Sequence, residues 1–122
     1  VKLYSGGPVG QDTIHYIHTI SDLESSIEIA PGIFYGGDFE QLQAMMRSGS
    51  LASAQIRFFI GYSGWGLGQL DQELKENSWL ITEATLAYAF DEDFEDLWKS
   101  TVRDMGKRYQ HIANFPENPM LN

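Results

Sequence analysis

His15 and His18 are the first residues whose type and spacing raise a chemistry, since two imidazoles three apart invite a metal ion. They lie in Thr13-Ile14-His15-Tyr16-Ile17-His18, a β-favouring segment. On a strand, side chains three apart point to opposite faces, so the pair cannot chelate one ion. The third histidine, His111, stands far off near the end of the chain, and no His-Glu-x-x-His pattern occurs. The acidic run Asp91-Glu92-Asp93-Phe94-Glu95-Asp96 suggests a calcium loop only in its charge. Counted from Asp91, the sixth position, where an EF-hand needs glycine, is Asp96, and the twelfth, where it needs glutamate, is Val102. The run reads instead as a solvated acidic start to a helix, where carboxylates oppose the positive end of the dipole. No metal site is expected.

Gly61-Tyr62-Ser63-Gly64-Trp65 approaches the nucleophile elbow Gly-x-Ser-x-Gly, but Trp65 occupies the place where the crowded turn requires the second glycine. Only His111 follows as a base, which disfavours hydrolase chemistry. No Gly-Lys-Ser or Gly-Lys-Thr is present, and Asp71 stands where a Gly-x-Gly beginning at Gly66 and Gly68 would need its last small residue. One possibility remains. The turn from Tyr62 to Gln69 joins a strand to a helix start, and amide-rich turns of that kind can hold an anion. Arg57 would supply a counter-charge. A second glycine turn, Gly36-Gly37-Asp38, would repel an anion through Asp38. The simpler reading is that the glycines let the backbone turn tightly against Trp65 and Trp79.

The elements that must position these residues follow from local signals. Val1–Ser5 reads as a short strand entering a Gly6-Gly7-Pro8 turn, and Thr13–His18 as a second. Ile27–Phe34 reads as a strand pair folded at Pro31-Gly32. Asp38 is a suitable N-cap and Gly49 a suitable stop for a helix over about 39–48. Gln55–Ile60 is a central strand, with aromatics on both faces. A second helix follows the glycine-rich stretch, with Leu67, Leu70 and Leu74 on one stripe, and Trp79–Thr82 reads as another strand. The last helix places Phe90, Phe94, Leu97, Trp98, Val102 and Met105 on one face, with Gly106 beyond its end. Several connections are too short for crossover helices, so an α+β domain with a mixed sheet is expected.

Composition narrows the function. The 122 residues carry 8 Lys and Arg against 17 Asp and Glu, a formal charge of −9, and no cysteine. Three basic and six acidic residues precede the end of Gly61, and five basic and eleven acidic follow it, so neither half conceals a basic module. The one basic cluster, Lys99, Arg103, Lys107 and Arg108, sits where cations favour a helix end. Neutralising phosphates needs more than this, so neither direct nucleic-acid binding nor an anionic membrane surface is expected. The longest apolar run, Leu86–Phe90, is five residues, against the roughly 20 of a membrane-spanning helix. The chain opens directly into a strand without methionine, which suggests a fragment or processed chain. Residues 114–122, with two prolines, read as an extended tail.

The whole chain resembles the YqgE/AlgH family of bacterial proteins, often labelled transcriptional regulators. The resemblance is carried by Gly6-Gly7-Pro8-Val9, His18, Ile33-Phe34-Tyr35-Gly36-Gly37-Asp38 and, above all, Arg57-Phe58-Phe59-Ile60-Gly61-Tyr62-Ser63-Gly64-Trp65. It continues through Gly68-Gln69-Leu70-Asp71-Gln72-Glu73-Leu74, Asn77-Ser78-Trp79 and Leu97-Trp98. It implies a compact α+β fold of about three helices whose sheet curls toward a pseudo-barrel. It also implies that an N-terminal section of the family precedes the Gly-Gly-Pro motif, so that this chain corresponds to the C-terminal two-thirds. If that section completes the sheet, the chain exposes an apolar strand edge. Ser63 stands where alanine is common, which speaks against a serine nucleophile. The resemblance brings no catalytic residue and no cofactor. The expectation is a single domain over 1–113, acting in the cytoplasm as a non-enzymatic regulator through a protein partner or a small anionic ligand. The alternative is a nucleotide- or anion-binding domain or enzyme that uses the Tyr62–Gln69 turn. Arg57, Tyr62, Ser63, Gly64, Trp65 and Gln69 are the candidate ligand-binding residues.

Overall fold

The computed structural model describes residues 2–91 and 94–106, with the side chains of Phe94 and Glu95 left aside. The expected tail at 114–122, Lys107, Arg108 and His111 lie outside the described residues. Strands β1 (Leu3–Ser5), β2 (Val9–His18), β3 (Ile27–Ala30) and β4 (Ile33–Tyr35) precede helix α1 (Phe39–Arg47). A 3-10 turn at Ser53–Gln55 leads into β5 (Ile56–Tyr62), then α2 (Gln69–Lys75), α3 (Leu86–Ala89) and α4 (Phe94–Asp104). The chain divides into two compact units between Gly64 and Trp65.

The first unit holds the sheet, in the order β1-β5-β2-β4-β3. β1 runs parallel to β5 and the other pairings are antiparallel, so the sheet is mixed, as expected. It is open rather than closed into a barrel, with β1 and β3 at its edges. The hairpin at Pro31-Gly32 forms, pairing Glu28 with Phe34. β5 lies between β1 and β2, with Tyr16 opposite Phe58 and His15 opposite Phe59. Gly7 shows why the entry to β2 is glycine-rich. Its φ is +145°, and a Cβ there would meet the Tyr62 carbonyl carbon at 2.4 Å, so β1 and β5 close upon each other only without a side chain.

α1 starts where the sequence places it. The Asp38 carboxylate accepts from the Gln41 N–H at 3.1 Å, and Gly49, at φ +74°, ends the helix in the left-handed region. The core gathers Tyr16, Ile20, Leu23, Phe58 and the fully buried Leu42 of α1, with Met45, Met46, Leu51 and Ile56 packed against it. Apolar side chains also remain exposed at both sheet edges, Leu3 on β1 and Ile27 and Ile29 on β3.

The described elements of the second unit are helices, and three expectations change there. Leu67 precedes α2, whose N-cap is Gly68, and is fully exposed, so it does not share a stripe with Leu70 and Leu74. Trp79–Thr82 joins no ladder, because a strand needs a partner and the sheet draws its five strands from residues 3–62. The face expected to run from Phe90 to Met105 is interrupted. Phe90 is the C-cap of α3, whose own start is capped by Thr85 accepting from the Tyr88 N–H, and α4 begins at Phe94. The Tyr88 hydroxyl donates to Asp104 and ties α3 to α4. Val102 is buried, and Gly106, at φ +113°, follows the helix as expected.

Candidate functional site

The Gly-rich turn leaves β5 on one side and enters α2 on the other. On the sheet side, β5 delivers Arg57 and Tyr62, and Ser63 and Gly64 follow its end. Arg57 is buried, at 8% exposure, and its guanidinium carbon lies 4.3 Å from the centre of the Tyr4 ring, a cation–π contact across the β1–β5 pair. The Ser63 hydroxyl donates to the Gly6 carbonyl at 3.3 Å, and a Cβ on Gly64 would make ordinary contact with the Tyr62 ring, at 3.8 Å. A nucleophilic serine would need a base within hydrogen-bond reach, whereas the Ser63 hydroxyl donates to a backbone carbonyl. Tyr62 is half-exposed and meets His15 in a T-shaped pair, 5.6 Å between centres at 75°.

On the helical side, the donors converge on one carboxylate that sequence reasoning did not single out. Glu73 Oε2 accepts from the indole N–H of Trp65 at 2.8 Å and from that of Trp79 at 3.1 Å. Its Oε1 accepts from Gln69 Nε2 at 3.3 Å, while Gln69 Oε1 accepts from the Gly66 N–H at 2.9 Å. The Trp79 hydrogen bond, opposed by some loss of hydration and reinforced by Trp65 and Gln69, holds the Glu73 carboxyl below its ordinary value. The two indoles meet edge to face, 5.9 Å apart at 67°. They nevertheless stay 42% and 46% exposed.

This arrangement bears directly on anion binding. An anion arriving here would find the Trp65 indole N–H and the Gly66 and Gln69 backbone N–H groups engaged, and a carboxylate already in place. α2 has only seven residues, and its cap, Gly68, offers no side chain. The pairing of Gln69 with Glu73 was readable as an i, i+4 contact on one helix face. The reach of both indoles to the same oxygen was not, because Trp79 lies beyond the helix end. Among the described residues no group of three His, Asp or Glu side chains is placed to hold a metal ion, and no helix is long and apolar enough to cross a membrane.

The two histidines behave as their strand predicts, facing away from each other. His18 is fully buried. Its Nδ1 accepts from the Ile20 N–H at 3.1 Å, which leaves the ring proton on Nε2 to donate to the Gly36 carbonyl at 2.7 Å. The ring stacks on Phe34 at 5.8 Å. Both nitrogens are spent on the backbone, so this is a structural histidine.

Comparison with known proteins places the molecule. UPF0301 proteins from Pelodictyon phaeoclathratiforme, Chlorobium limicola and Bacteroides thetaiotaomicron are 45%, 46% and 39% identical over 122, 121 and 122 residues. These alignments take in 99%, 98% and 100% of this chain but 65%, 65% and 62% of the relatives, so the chain spans somewhat under two-thirds of their length. The solution structure of the AlgH protein from Pseudomonas aeruginosa superposes with a TM-score of 0.69 at 24% identity, over 97% of this chain and 61% of that one. Protein DIP2367 from Corynebacterium diphtheriae superposes at 0.71 and 23% identity, over 93% and 60%. At those identities the two structures establish the fold alone. The AlgH-like family profile matches residues 1–110, which takes in the sheet, the Gly-rich turn and the Glu73 cluster. By fold, by relatives and by that match, this chain belongs to the AlgH-like family.

Proposed function

We propose that the chain is a cytoplasmic regulator that works by contact rather than by turning over a substrate, and that Trp65 and Trp79 are the anchors its protein partner seats upon. One observation carries this reading: two indoles pinned by a shared carboxylate remain nearly half exposed. Tryptophan is among the residues that dominate binding energy at protein interfaces, and a side chain already held in place loses little freedom on binding. Leu70 and Ile81, also exposed, belong to the same unit. Exposed Asp71, Glu76 and Glu83 in that unit favour a partner with lysine or arginine at the rim, and the formal charge of −9 favours a protein over nucleic acid.

The test is affinity capture from the native host with the tagged chain and with a Trp65→Ala/Trp79→Ala variant whose circular dichroism matches the parent. The proposal expects a reproducible partner on the parent that is lost, or weakened at least tenfold, on the variant. No enriched partner on the parent, or equal capture by the variant, contradicts it.

A further inference from the structure

A groove on the sheet is independent of the tryptophan pair and lies wholly within the first unit. It has a volume of about 480 Å3 and is walled by His15, Tyr35, Phe59 and Tyr62, with Ser5, Gly6 and Gly61 completing the lining. That volume is in the range of small-molecule sites, about 300–1,000 Å3. The glycines set its shape, since a Cβ on Gly6 would meet the Gly61 carbonyl oxygen at 2.3 Å.

The hydrogen bonds through His15 have one direction. The Thr13 hydroxyl donates to the Gly10 carbonyl at 2.6 Å, so its oxygen must accept from His15 Nε2, 3.0 Å away. In the neutral imidazole the one ring proton is therefore on Nε2, and Nδ1 accepts from the Tyr35 hydroxyl at 2.7 Å. Tyr35 has spent its only proton, and its oxygen keeps lone pairs for an incoming donor. The groove thus presents an acceptor held in a fixed position, among aromatic rings. Among the described residues no Asp, Glu, Lys or Arg side chain lines it, so no formal charge on its wall pairs with a charged ligand.

We propose that this groove binds a neutral, flat bicyclic heteroaromatic molecule that presents an N–H to Tyr35 Oη and stacks on Tyr62. Tyr62 and Tyr35 are the two exposed rings of the wall. A planar guest gains from their faces what offset or edge-on aromatic pairs gain at centre separations of about 4.5–7 Å. Its N–H supplies orientation, because an aromatic wall alone does not discriminate among rings.

The probes are indole, which carries the N–H, and 1-methylindole, which does not. Each is titrated into the purified 122-residue chain and followed by 1H–15N spectra and calorimetry. Indole is expected to shift the amides of Gly6, His15, Gly61 and Tyr62 saturably, and to bind about five- to tenfold more tightly than 1-methylindole, the worth of one hydrogen bond. In Tyr35→Phe the two probes bind alike, and in Tyr62→Ala both weaken while the rest of the spectrum is kept. The proposal is overturned if millimolar indole gives no saturable shifts or shifts only other residues. It is equally overturned if the parent chain does not distinguish the probes, or if Tyr35→Phe still does.

Discussion

At the scale of single residues, burial and hydrogen-bond accounting separate the histidines that looked alike in sequence. His18 satisfies two backbone groups and fills a closed site, whereas His15 sits in the wall of a groove. Replacing His18 by alanine would leave the Ile20 N–H and Gly36 carbonyl without their partner and open a cavity. The expected cost is about 3 kcal/mol, read as a lower midpoint in urea unfolding. A loss under about 1 kcal/mol would mean that water replaces the ring. Arg57 teaches a related lesson. Its charge made it a candidate counter-ion, but depth depends on the neighbouring strand, and no local pattern announces that β1 lays Tyr4 over the guanidinium.

At the scale of elements, signals confined to a few residues were legible. Asp38 and Gly49 bound α1, and Pro31-Gly32 turns the β3–β4 hairpin, because capping and turn chemistry act within four residues. Asp38→Ala should therefore cost about 1 kcal/mol, with helix loss confined to the first turn of α1 in hydrogen exchange. An unchanged stability would show the cap to be redundant. Features that depend on distant partners were not legible. Trp79–Thr82 has strand-like composition, yet the sheet has its strands elsewhere and Trp79 is taken up by Glu73. The apolar spacing from Phe90 onward continued through a break between α3 and α4, since periodicity records a face and not the continuity of the helix behind it. The candidate site was legible only in outline: the turn was visible, and the carboxylate filling it was not.

At the scale of the molecule, the sheet is open and apolar at both edges. Leu3 on β1 and Ile27 and Ile29 on β3 are exposed. Uncovered apolar edges promote association between copies. Sedimentation velocity should show reversible self-association of this chain that rises with concentration, and Ile29→Lys should reduce it. A strict monomer at all concentrations would show that the formal charge of −9 suffices to keep copies apart.

Glu73 is the anion that the turn already holds. A group whose folded-state pKa is lowered contributes stability above its unfolded value, here near the ordinary 4.5, and loses that contribution as pH falls through the folded value. The most direct measurement is the pH titration of the indole N–H resonances of Trp65 and Trp79. Both should move together with a single midpoint below 4.5, and Glu73→Gln should abolish that step. Separate midpoints, a midpoint at or above the ordinary value, or a titration that survives Glu73→Gln would contradict the account.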